Sequence, residues 1–301
     1  VRAFAWFAAL IALGMVGIVV LAYPLYELVT PMIDAPFHRV ASRVGMLILL
    51  IGFVLVARHL ALADRRSLGF GLARGAFVRE AASGLALGVV TMLPIVLAMI
   101  ALDLRAPRDG VTLDTATFAN LAFKGLTSGL AVALIEETFL RGTMYSGIAR
   151  ESGPRLAVLL TALVYAATHF LARYRIPADQ VGPGSGFELL AGSLAAFGDF
   201  PRIADAFLCL FAVGVLLGIV RTLTGNIAAC IGLHAGWVWV ITFVRETSVR
   251  DEAAAWNFLL SRFDGVVGWL VLGWTFVLGP LLWRHYKGRQ AHDATGRSPY
   301  G

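Results

Sequence analysis

Charged residues are scarce in this chain. Asp, Glu, Lys and Arg make up 15% of its 301 residues, against about a quarter in an ordinary soluble domain. Cysteine is scarcer still: Cys209 and Cys230 are the only two, each inside an apolar run. They read as small buried hydrophobes, and neither a disulfide framework nor a CxxC metal clip is available. The formal net charge is +6, but no dense Lys/Arg stripe with interleaved aromatics accompanies it. Nucleic acid is therefore not an expected partner, and positive loops facing anionic lipid account for the excess. There is no low-complexity tract and no visible internal repeat. These absences set aside a disordered chain, a collagen, a disulfide scaffold and an ordinary cytosolic enzyme. What is abundant is apolar residue, 58% of the total, the composition of an all-α polytopic membrane bundle.

A spanning helix needs about 20 mostly apolar residues. Eight windows qualify: roughly 3–22, 41–62, 80–102, 118–140, 155–172, 205–222, 226–245 and 265–284. The fourth is expected to run past 140, because residues 144–149 remain apolar. No ten-residue alternation indicates a lipid-facing barrel, and no strand is required. Residues 3–22 read as an uncleaved signal-anchor helix, since no A-x-A-like site follows before Pro24.

Loop charge gives an expected orientation. The connection after the second window holds Arg58, Arg65, Arg66, Arg74 and Arg79 against Asp64 and Glu80. The C-terminal tail holds Arg284, Lys287, Arg289 and Arg297 against Asp293. The positive-inside rule then puts both termini, the loop between windows two and three and the loop between windows four and five in the cytoplasm, with the bacterial inner membrane as the expected location. Three glycine pairs spaced four apart, Gly84/Gly88, Gly125/Gly129 and Gly214/Gly218, predict close helix packing. The longest connection, about 173–204, is read either as a lid or as a surface loop with a short interfacial helix, and the latter is favoured.

Ionisable residues at bilayer depth cost on the order of 3 kcal/mol or more and usually have a partner or a task. In the run 134–142, Glu137 and Arg141 are four apart and share a helix face, acid before base as a helix favours. Glu136 points about 100° away. One carboxylate is thus held by a guanidinium and its neighbour is free, a division that suits one structural and one catalytic acid. His169 closes the fifth window and His234 sits in the middle of the seventh. Carboxylate plus imidazole is the chemistry of water activation, through a bound divalent metal or directly by general base catalysis. HExxH, G-x-S-G and GxGD are all absent, which argues against zincin, rhomboid-like and presenilin-like mechanisms.

Glu136-Glu137-x-x-x-Arg141 on one helix, Tyr165-x-x-x-His169 on the next and His234 on a later one resemble the CPBP family. This is the group of CAAX prenyl endopeptidases and bacteriocin-processing proteins, also called the abortive-infection family. The resembling segment covers about residues 120–245 of the chain. The resemblance implies that Glu136 activates the attacking water with help from His169. It implies that His234 stabilises the oxyanion or joins the same water or metal site, and that Glu137 and Arg141 orient the cluster. It allows either a divalent metal such as zinc held by Glu136, His169 and His234, or a metal-free glutamate-type peptidase. The implied partners are membrane lipid and a membrane-associated peptide or protein substrate; the oligomeric state stays open. Two departures stand out. Tyr165 occupies a position that is usually Phe, and Val238 stands four after His234, where the family has Asn or Asp. The loss of one oxyanion donor can cost about 10²–10³ in rate; Asn226, eight residues before His234, is considered as a substitute. Trp237 and Trp239 read as packing residues.

The expected organisation is N-terminal helices over 1–115, a catalytic core over 116–250 and a last helix with a basic tail over 251–301. The expected activity is that of an intramembrane CAAX-type endopeptidase. The alternative is a non-proteolytic membrane protein on the same fold: a transporter, an immunity factor or a scaffold.

Overall fold

The computed structural model describes residues 1–171 and 174–294. Arg297, counted above in the basic tail, and the side chain of Asp293 lie outside the described residues. Each of the eight apolar windows falls on a helix. The first three are α1 (Arg2–Val29), α2 (Phe37–His59) and α3 (Arg74–Ala101). Next comes α4 (Thr115–Glu137), which passes through a π-helical turn (Thr138–Met144) into α5 (Tyr145–Thr168). The helix therefore continues beyond 140, and it breaks at Gly153, whose φ of 83° is open to glycine and which leads directly into Pro154. A short helix, α6 (Ser185–Ala195), leads into α7 (Phe200–Thr224). The set ends with α8 (Ala228–Thr247) and α9 (Trp269–Ala294).

Among the described residues, six helical stretches are long and apolar enough to cross a membrane, against the eight windows expected. One of them, the 54-residue stretch Thr115–Thr168, contains two of the windows, and α9 is not among the six. Outward-facing Leu13, Val16 and Val20 on α1, Leu47, Leu50 and Ile51 on α2, and Leu93, Leu97 and Ile100 on α3 are exposed. A soluble domain would not tolerate so continuous an apolar coat, whereas lipid does. The chain is an integral membrane protein.

The innermost helix is α8: 61% of its apolar window is buried, against 17% in α1. It is wedged between α3 and α4 by residues without bulk. A Cβ placed on Gly88 would lie 2.5 Å from the Leu233 carbonyl, and one on Gly129 would lie 2.8 Å from that of Ala235. The facing glycines on α8, Gly232 and Gly236, meet the α3 backbone in return. The expected packing role of Gly84/Gly88 and Gly125/Gly129 is met here, and Gly214/Gly218 packs α7 on Ala162 and Val158 of α5. Gly88→Val is expected to lower stability by about 1–3 kcal/mol through overpacking, read as a lower unfolding midpoint in detergent. Gly75→Val is the control, because nothing lies within 4 Å of that position.

Two connections differ from expectation. The chain carries one short antiparallel pair where no strand was expected: β1 (Arg105–Pro107) beside β2 (Ser248–Arg250). These segments follow α3 and α8, so the close docking of those helices brings their ends together. The 173–204 connection does contain the short helix expected, but α6 is docked and not merely laid on a surface. Its Ser185 and Ser193 are buried, and Gly186 abuts the Val19 carbonyl of α1. Elsewhere, Asp114 caps α4 by accepting from the Thr117 amide at 2.7 Å, and this bond holds its carboxyl below the usual range.

Candidate active site

The π-helical turn lies where the two acidic residues stand. Its wider spacing is common at functional sites, and here it joins Glu137, the last α-helical residue of α4, to Arg141 inside the turn. Thr143 donates its hydroxyl to the Thr138 carbonyl at 3.3 Å, five residues back, which satisfies the widened turn. Gly142 allows the turn to press against the Leu68 carbonyl, and the Ile227 amide donates to Gly69 at 3.1 Å. The basic connection between α2 and α3 thereby closes over this end of the site.

Glu137 and Arg141 are fully buried and paired, Arg141 Nη1 donating to Glu137 Oε1 at 3.2 Å. Arg141 Nη2 donates to the Gly214 carbonyl of α7 at 3.0 Å, and its guanidinium lies 4.7 Å from the centre of the Tyr165 ring. The same Glu137 oxygen also meets His234 Nδ1 at 2.8 Å. A carboxylate acceptor requires the proton on Nδ1, which leaves Nε2 of His234 to face outward from the pair. His169, the C-cap of α5, directs Nδ1 to the Tyr165 carbonyl at 2.7 Å, so in the neutral ring its Nε2 is left with a lone pair. The Tyr165 ring packs edge-on to both imidazoles, 4.5 Å from His169 and 5.8 Å from His234.

Glu136 is half-buried, and its charge bears on His169, His234 and Tyr165. Its Oε2 is shielded from solvent and accepts no hydrogen bond from the described residues. Among the described residues, three buried side-chain polar atoms lack a partner: Glu136 Oε2, Glu137 Oε2 and Arg141 Nε. All three belong to the one motif. Unsatisfied buried groups are costly and uncommon, and their concentration at one motif makes it the candidate site.

All five residues singled out from the sequence are thus brought together, from α4, the π-helical turn, the end of α5 and α8. Their pairing has a different centre from the one expected. His234 is bonded to Glu137 and not to Glu136, because α8 docks with His234 on the Arg141 side of α4. Among the described residues no three His, Cys, Asp or Glu side chains are grouped so as to hold a metal ion.

Two further sequence readings are corrected or completed. Asn226 is no substitute for a polar residue at 238: its Oδ1 accepts from the Ala228 amide at 2.8 Å and its Nδ2 donates to the Thr224 carbonyl at 2.9 Å, so it is spent on the turn into α8. Trp237 is likewise occupied, donating to Thr91 Oγ1 at 3.0 Å. Arg221 is the residue that sequence reasoning missed. It is buried on α7, donates through Nε to the Arg141 carbonyl at 2.8 Å and stacks 5.2 Å above the Tyr145 ring. It holds the π-helical turn from behind. It stands at the edge of an apolar window, where a terminal cation reads as a loop charge.

A Glu/Arg/His cluster is thus enclosed by the apolar helices of an integral membrane protein. Residues 118–240 match the family model described as Rce1-like, type II CAAX prenyl endopeptidase Rce1-like, and this stretch of the chain is similar to CAAX-type intramembrane proteases. The matched stretch runs from the start of α4 into α8 and contains every residue of the cluster. No curated protein and no solved structure matches the chain.

Proposed function

We propose that the protein is an endopeptidase that hydrolyses a peptide bond of a membrane-associated protein or peptide, with Glu136 as general base. The observation that carries this reading is the buried, unpartnered Oε2 of Glu136 beside two imidazoles whose Nδ1 atoms are already committed. In the proposed reaction a water donates one proton to Glu136 and a second hydrogen bond to Nε2 of His169. Its oxygen attacks the scissile carbonyl carbon. His234, anchored on Glu137 and protonated, donates Nε2–H to the oxyanion. The proton held on Glu136 passes to the amide nitrogen as the C–N bond breaks. Glu137 and Arg141 fix the position of His234 and touch no reacting atom.

Transport is the competing use of buried charge in a membrane. It calls for ionisable groups strung along a path, whereas these five form one cluster on neighbouring helices. We place the protein in the bacterial inner membrane with both termini cytoplasmic, on the strength of the arginines at 58, 65, 66, 74 and 79. The test is cleavage of a library of membrane-tethered peptides by purified protein in proteoliposomes, with new termini mapped by mass spectrometry. Cleavage is expected, and it is expected to persist in excess chelator, because the reaction as proposed uses protein groups alone. Absence of any product from the native chain would sink the proposal; loss of activity on chelation, restored by zinc, would overturn the metal-free step.

A further inference from the structure

At the end of the bundle where α3 and α8 terminate and α4 and α9 begin, the β1–β2 pair floors a cavity of about 510 Å³. Five arginines line it: Arg105, Arg108, Arg245, Arg250 and Arg262. The acidic residues in its wall are Glu252 and Asp264, so cations outnumber anions by five to two.

Two of the arginines are structural. Arg105 donates to Ser248 Oγ at 2.8 Å, to the Ser248 carbonyl at 2.7 Å and to the Gly265 carbonyl. Arg250 is spent on the Asn257 carbonyl at 3.0 Å and on Glu252 at 2.5 Å. Both carboxylates are occupied as well, Glu252 by Arg250 and Asp264 by the amides of Val266 and Val267, each at 2.9 Å. The remaining guanidiniums have donors to spare. Arg245 is exposed and its side chain makes no hydrogen bond among the described residues; Arg108 uses Nη2 alone, on the Arg245 carbonyl at 2.6 Å; Arg262 approaches Glu252 no closer than 3.8 Å. Three cations gathered on one wall repel one another unless an anion joins them, and guanidinium forks match phosphate oxygens in pairs.

The surroundings indicate which phosphate. Arg250 holds Asn257, and the residues on either side of it, Trp256 and Phe258, are exposed, as is Trp269 at the start of α9. Exposed tryptophan level with the ends of spanning helices, here α3 and α8, marks the headgroup level of a bilayer. We propose that this cavity binds the phosphate of an anionic phospholipid headgroup, distinct from the Glu136 cluster and independent of its chemistry.

The experiment uses the full chain in detergent micelles and follows its unfolding midpoint as phosphatidylglycerol, phosphatidylcholine or inorganic phosphate is titrated in. Phosphatidylglycerol is expected to raise the midpoint where phosphatidylcholine does not. The Arg245→Gln/Arg262→Gln variant is expected to need at least about tenfold more of it, the effect of losing one charge-assisted hydrogen bond. Neither side chain bonds to the backbone of the described residues, so the variant should match wild type without lipid; if the pair does not fold, Arg262→Gln alone is read in the same way. An equal response to both lipids, or an undiminished response in the variant, overturns the site. A full shift from inorganic phosphate alone overturns the lipid as its source.

Discussion

Glu136→Gln is expected to reduce peptide cleavage by about 10²–10⁴-fold, the range for removing a general base, while leaving the unfolding midpoint of the protein near that of wild type. The substitution keeps the size and polarity of the side chain and removes its capacity to take a proton. Little in the fold depends on the carboxylate: Oε2 has no partner among the described residues, and Glu136 is half-buried. The measurement is initial rate on a tethered peptide that wild type cuts, beside a thermal unfolding curve of each preparation. An active Glu136→Gln enzyme would remove Glu136 from the chemistry. A variant that is inactive but also unfolded would assign it a structural role.

Glu137→Gln is expected to behave in the opposite order, failing first in stability. Glu137 Oε1 is shared by Arg141 at 3.2 Å and His234 at 2.8 Å, and the two partners in the ion pair have no solvent exposure. Removing the negative charge leaves a guanidinium uncompensated in the interior, which costs about 3–5 kcal/mol. The double variant Glu137→Leu/Arg141→Met removes both charges and fills the space, and is expected to recover most of that loss. It is not expected to recover cleavage, because His234 is left without its anchor. Midpoints of the single and double variants check the first part, and rates on the same peptide check the second. Equal stability of wild type and Glu137→Gln would show that the buried pair carries no net weight.

Adjacent residues of the same type thus have opposite expected roles, and that much was legible before any coordinates. The spacing of Glu137 and Arg141 fixes one helix face, and Glu136 lies off it. Hydropathy located the helices for a similar reason: lipid imposes one long apolar run per crossing, and few alternatives compete with it. What was not legible depends on how helices meet. Helical periodicity assigns faces within α4 but carries no information on the height at which α8 docks, so the sharing of Glu137 by His234 was missed. The pair Gly232/Gly236 was present in the sequence with the same spacing as the three pairs noted, yet its significance lies in having Gly84 and Gly88 opposite. The π-helical turn differs from an α-helix by one residue of hydrogen-bond register, a change no composition records. Arg221 and the β1–β2 pair were hidden because each is defined by a partner more than 70 residues away: Arg221 by the Arg141 carbonyl, with a separation of 80, and Arg105 by Ser248, with a separation of 143.

The seat of α8 fixes the position of His234. His234 lies between Gly232 and Gly236, which meet α3 backbone to backbone, while Ala235 on the other side meets Gly129 of α4. Contacts of this kind have no rotamers to change, so the helix bearing His234 has nothing with which to yield. Helices α1 and α2 meet instead through longer side chains, which do have rotamers to change: Ile48 fills the space over Gly17 and Leu10 that over Gly52. The imidazole of His234 is therefore held on a wall of the bundle that is fixed by backbone contacts.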